Sequence, residues 1–405
     1  MSSVQIVIGA ILTLLIIEYF IFFLINYLKK DFQWLITEVD DQPTFPSKVL
    51  DKFFAKSYDP ILGWVRKKNT NGFDKGKNGQ VKYSIDSLGS RNISAKKAEQ
   101  SSSLIASFGD SYTFCRQVED EQTWQALMSS HLKTHVLNFG VGNYGLDQAL
   151  IRYNNTPLPN TVKTVIMGVV PETICRVHSY WKHYLEFGNT LAFKPRFILE
   201  EGKLRFCENI IKEKNDFRIL SKHLDSVKKH DEFYLKKYRS HQFKNSYLVS
   251  FFKHPKHNVA LVYHILKRKL FKTLGVDNPR VENAAFTVIM KNNIADSHKM
   301  YEEIKYCELL KSLIIQFKKD ADRQGHEPLL VIMPQLTDLK SFKNDRIPYE
   351  EFYNNLKKEI DVLDLTKSLL NENFSECYID DQYGGHFSEK GNAFVSDKII
   401  EHLKS

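Results

Sequence analysis

The chain has 405 residues, 42% hydrophobic and 26% charged, a balance that excludes a disordered polymer and allows one large domain with insertions, or two domains. Its net charge of +9 gathers in the middle, around "HLDSVKKHDEFYLKKYRSHQFKNSY" and "HILKRKLFK", which predicts a basic surface facing solvent, anionic lipid or an acidic polymer. No nucleic-acid motif accompanies that charge, so nucleic acid is not an expected partner.

In chain order, Val4 to Tyr27 ("VQIVIGAILTLLIIEYFIFFLINY") is almost wholly apolar and long enough to cross a bilayer. With no basic start and no small-residue cleavage site, residues 4–27 read as one uncleaved transmembrane helix, in which Glu18 must be protonated or paired. Lys29 and Lys30 follow it and favour a cytoplasmic bulk, whereas an envelope substrate would favour the other side. Residues 31–100 form a turn-rich arm. From 101 to 405, apolar runs alternate with helical patterns: strands are predicted over 103–108, 134–139, 162–170, 328–333 and 361–365. Helices are predicted over 123–132 and 146–153. Another ends at Gly325 and carries the stripe Ile304, Cys307, Leu310, Ile314, Phe317 and Ala321; a last one is capped by Ser388. The rhythm breaks over about 176–297, a long aromatic and basic insertion. Strands alternating with helices predict a parallel sheet covered on both faces, with ligands bound beyond the carboxyl ends of the strands.

Three polar clusters fall at such ends: Gly109-Asp110-Ser111, "GVGNYG" (140–145) and "PETICR" (171–176). Ser111 is either a turn residue or a nucleophile, and a serine needs a base to take its proton. The candidate is His386 in "YIDDQYGGHFSEKGN". Asp110 is expected to cap a helix or brace the turn, Trp124 to anchor the core, and Asp147 and Arg152 to pair weakly on a helix surface. Cys115, Cys175, Cys207, Cys307 and Cys377 show no CxxC or metal spacing and read as small apolar fillers. No P-loop, dinucleotide fingerprint or metal cluster appears, so neither cofactor nor metal is expected.

"FGDSYTF", "LNFGVGNYGLDQ" and "GGHFSEKGN", in this order on these element ends, resemble the blocks of the SGNH/GDSL hydrolases. The resemblance covers roughly residues 100–180 and 325–403. "DPILGWVRKKN", "IDSLGSRN" and "KPRFILEEGKLRF" also look like segments of its membrane-anchored bacterial members. It implies a flavodoxin-like three-layer α/β/α domain anchored by a single span to a bacterial inner membrane, a Ser111 nucleophile, a His386 base and acyl-ester chemistry. Ser111 would give one oxyanion donor. The family's second-block glycine aligns with Asn143, beside Gly142 and Gly145, and its third-block asparagine with Thr173. The family's usual acid position holds Tyr383, leaving Asp381, Asp380 or a dyad oriented by a backbone carbonyl. The expected substrate is an O-acyl ester, O-acetyl on an envelope carbohydrate by preference, with lipid esters as the rival. A degenerate glycan-binding or scaffolding relative is the alternative.

Overall fold

The apolar runs meet in one sheet. The structure is a computed structural model that describes residues 2–77, 79–92, 105–342, 346–379 and 385–405. Five strands, β1 (Ile105–Gly109), β2 (Val136–Asn138), β3 (Thr164–Val169), β4 (Glu327–Ile332) and β5 (Asp361–Asp364), run parallel in the order β2-β1-β3-β4-β5. The expected parallel α/β domain is therefore present; the first two residues predicted for β1, 103 and 104, lie outside the described residues.

Why these runs are apolar almost without interruption follows from burial on both faces. Ala106, Phe108, Val165, Met167, Leu330 and Ile332 point into one core cluster. Ile105, Ile166, Leu329 and Val331, one residue out of phase, point into the other. Leu146 and Leu150 of a helix over Leu146–Asn154, with Leu313 and Phe317 of one over Ile304–Gln324, cover the first face. Trp124 and Met128 of Trp124–Leu132, with Val395 and Ile399 of Glu389–Lys404, cover the second. The predicted ends hold: Gly325 closes its helix at φ 74, and the Ser388 hydroxyl accepts from the Gly391 N–H.

Two expectations are corrected. Ile304 is 77% exposed, because its helix starts there and the first turn projects past the core. Asp147 and Arg152 are not a surface pair. Both are buried, because the insertion and the arm cover the outer side of their helix. Lys194 pairs with Asp147, and Arg152 Nη2 donates to the Gly89 carbonyl at 2.7 Å.

The arm contributes a helix, Ser47–Lys56, and an antiparallel hairpin, Thr70–Gly76 with Gly79–Ile85. The N-terminal helix, α1 (Ser3–Lys29), is long and apolar enough to cross a membrane. It is not detached. Ile21, Ile25 and Leu28 are buried in the first core cluster, and Lys29 Nζ bonds the Leu35 carbonyl (2.8 Å) and Asp40 (2.6 Å).

Candidate active site

Chain order places β1 and β3 side by side, so their carboxyl ends form the switch point of the sheet, where ligands bind in folds of this kind. β1 ends at Gly109, and a side chain there is impossible. A Cβ would lie 2.0 Å from the Gly168 carbonyl oxygen of β3 and 2.2 Å from Thr113 Oγ1. The chain then turns. Asp110 is buried beneath the turn and accepts from the Tyr112 N–H (2.8 Å) and the Val170 N–H (3.1 Å), tying β1's end to β3's. Arg176 Nη1 lies 3.3 Å from Asp110, and its Nη2 donates to Glu172 at 2.8 Å. Burial pushes the Asp110 carboxyl up, against Arg176 and the two N–H groups. Burial also opposes the charge on Arg176, but Glu172 and Asp110 outweigh it and raise that pKa. Asp110 thus braces the turn that carries Ser111.

Ser111 and His386, far apart in sequence, meet there. Ser111 Oγ is 2.9 Å from His386 Nε2. His386 Nδ1 is 3.0 Å from Gln117 Oε1. The amide orientation is fixed, since Gln117 Nε2 donates to the Lys75 carbonyl at 2.8 Å. Gln117 Oε1 therefore accepts from Nδ1–H, which leaves Nε2 as the acceptor for the Ser111 hydroxyl. Among the described residues, the partner of Nδ1 is a neutral amide from the nucleophile's own loop. Asp380, Asp381 and Tyr383 lie outside the described residues.

The loop that supplies Ser111 and Gln117 is held by a residue the sequence did not advertise. Arg91 is buried; its Nη1 donates to the Phe114 (2.8 Å) and Cys115 (2.7 Å) carbonyls, its Nη2 to Val118 (2.6 Å), and its Nε pairs with Asp120 at 2.7 Å. This lets Gln117 adopt φ 76, an uncommon conformation outside glycine. His386 is packed against Tyr112, ring centroids 5.0 Å apart, and its carbonyl accepts from the Ile379 N–H at 3.0 Å. Cys115 is buried and its thiol is pushed up to about 12 by burial, so it is no nucleophile.

Ser111 and His386 open into a cavity of about 490 Å³. Gly142 and Asn143 line it, and Asn143 holds φ 67, which asparagine tolerates. Among the described residues, the Ser111 and Asn143 N–H groups have no protein acceptor. Thr173 is not brought here: it is buried, and its hydroxyl accepts from the Leu146 N–H at 2.9 Å, starting the next helix. Arg116 and Arg176 line the cavity beside Trp34, Trp64 and Phe286, which sequence reasoning missed. Among the described residues no cluster of His, Cys, Asp or Glu could hold a metal ion.

Burial, then Arg116 and Arg176, hold the His386 imidazole well below its ordinary range. The base is therefore neutral at pH 7 and stays so below pH 6.5. The acid limb of kcat/KM, which reports the free enzyme, is expected well below pH 6.5. Gln117→Glu places a carboxylate on Nδ1–H, favours the imidazolium and moves that limb upward by about 1–3 units. A limb that stays put in this variant would mean that Gln117 does not bond the ring during turnover.

No family model matches the chain, and no curated protein does. Among solved structures, one described as a "putative lipolytic protein of G-D-S-L family from Desulfitobacterium hafniense DCB-2" is similar over 74% of this chain and 99% of its own, with 12% identity and a TM-score of 0.32. That likeness is too slight to assign a residue or a substrate.

Proposed function

We propose that this protein is a membrane-anchored serine esterase of the SGNH/GDSL type, acting on O-acyl esters through Ser111 and His386. The observation that carries the reading is the 2.9 Å contact between Ser111 Oγ and His386 Nε2, at the floor of a cavity beyond β1. In this mechanism Ser111 Oγ attacks the ester carbonyl while Nε2 takes its proton. The tetrahedral oxyanion is met by the Ser111 and Asn143 N–H groups, under the field of Arg116 and Arg176. Collapse breaks the bond to the alcohol, which leaves with the proton from Nε2. Water or an acceptor hydroxyl then gives its proton to Nε2 and takes the acyl group from Ser111, whose Oγ receives that proton back from Nε2.

A wall that mixes Trp34, Trp64 and Phe286 with arginines supports a polar, sugar-like alcohol with a short acyl group over a long-chain lipid ester. An O-acetylated envelope carbohydrate is the substrate that best fits. In this reading α1 crosses the bacterial inner membrane.

The test is labelling of the full chain by a serine-directed fluorophosphonate. Wild type is expected to label, Ser111→Ala not at all and His386→Ala hardly. Acetate release from an acetylated glycan, without fatty acid release from phospholipid, is the expected companion. A folded wild type that never labels would instead favour a glycan-binding protein without turnover, to which the neutral Gln117 amide would be no handicap.

A further inference from the structure

α1 carries an acid where a membrane helix tolerates one worst, and the insertion occupies it. Glu18 accepts from Ser246 Oγ (2.7 Å), the Tyr247 N–H (2.7 Å) and the Leu248 N–H (2.9 Å). The helix Tyr247–Lys253 therefore starts on α1 at that level, with Tyr247 against Phe22 at 4.9 Å between centroids. The next helix, Pro255–Thr273, reaches the other end of α1. Lys269 lies 4.2 Å over the Tyr27 ring and pairs with Asp31, and Arg268 Nη2 donates to the Asp31 carbonyl at 3.2 Å.

This pair of helices is clothed for lipid. Val259, Tyr263, Leu266 and Leu270 recur on one face of Pro255–Thr273 and are 43–56% exposed. Val249 and Phe252 on the shorter helix are exposed too, as are Phe20, Phe23 and Tyr27 on α1. Exposed Lys253, Lys256 and Lys272 lie among them. Such a mixture cannot sit in the hydrocarbon centre, where exposed lysines are too costly. In the headgroup–acyl boundary the apolar side chains enter the acyl edge and the ammonium groups reach phosphates.

The lengths agree. The stretch of α1 before Glu18 spans about 22 Å at 1.5 Å per residue. An amphipathic helix sinks roughly 5–10 Å into the boundary, which brings the total to the ~30 Å of a bilayer core.

We propose that Tyr247–Lys253 and Pro255–Thr273 form an amphipathic apron around α1 that lies in the interface of an anionic leaflet. The hydrocarbon boundary then falls roughly 5–10 Å past Glu18 along α1, with the Glu18 carboxyl satisfied by Ser246 and two N–H groups of the apron, and the chain is held by three helices. This rests on the reading that α1 crosses the membrane.

The experiment uses the full chain with Cys307→Ser, carrying one fluorophore-labelled cysteine at Leu12, Val259, Leu266, Leu270 or, as a control on the sheet domain, Leu403. Vesicles of phosphatidylglycerol and phosphatidylethanolamine carry nitroxides near the headgroup or deep in the acyl chain. Labels at 259, 266 and 270 are expected to lose emission to the shallow nitroxide, and the label at 12 to the deep one, with the label at 403 unchanged. Lys253→Glu with Lys256→Glu is expected to weaken quenching at 259 in anionic vesicles only. Emission at 259, 266 and 270 that matches 403, while 12 is quenched, would overturn the apron and point to a protein or a second copy on that face. No quenching at 12 would count against the spanning helix itself, separately from the apron.

Discussion

His386→Ala is expected to lower kcat/KM on an alkyl or sugar ester by about 10⁴–10⁶ while leaving the fold intact. His386 Nε2 is the only described nitrogen on Ser111 Oγ, so its loss removes both the proton acceptor for attack and the donor for the leaving alcohol. A factor of 10⁴ corresponds to about 5.4 kcal/mol of barrier. Ser111→Ala should cost about as much, and the double variant little more, because the two act as a unit. An aryl ester, whose leaving group needs no proton, should show a smaller loss. Steady-state rates of the three variants on both esters check this. A loss below about tenfold on the alkyl ester would mean that another group activates Ser111.

Arg176→Met is expected to cost about 3–5 kcal/mol of stability. Asp110, Arg176 and Glu172 form a buried set with Arg176 at its centre, and removing it leaves two carboxylates facing each other without a cation. Arg176 Nη1 also bonds the Tyr144 carbonyl at 3.1 Å, so the loop after β2 loses its tie to the turn. Urea unfolding at pH 7 measures the loss. Without Arg176 the Asp110 carboxyl, already pushed up by burial, loses its nearest cation and takes up a proton more readily in the folded state, so the deficit should shrink as pH falls. Glu172→Gln in the Arg176→Met background should recover part of it. A deficit under about 1 kcal/mol would show that the fold does not depend on Arg176 to balance the buried carboxylates.

What could be read in the sequence, and what could not, follows from how each residue is determined. The five strands were legible because strands buried on both faces leave uninterrupted apolar runs bounded by turns. Ser111 was legible because it sits where an apolar strand changes abruptly to polar residues, and His386 because "GGHFSEKGN" before the last helix resembles a family block. Gln117 was not: an amide in a loop at positive φ has no periodicity, and the expectation of an acid drew the reading to Asp380 and Asp381. Arg176 stood in "PETICR", one of the three polar clusters, but the alignment favoured Thr173, whose hydroxyl is spent on the Leu146 N–H. Arg91, Trp34 and Trp64 come from the arm, where only tertiary packing shows what they face.

The cavity wall includes Gln33 and Trp34, immediately past the end of α1, and Lys29 is fastened to Leu35 and Asp40. A flexible leash of n residues would let a catalytic head sweep roughly 5–6 Å × √n. Here there is no leash. With α1 in a bilayer, the site stands at a fixed altitude and travels only sideways. Its encounters become a two-dimensional search, confined to esters presented at that one height.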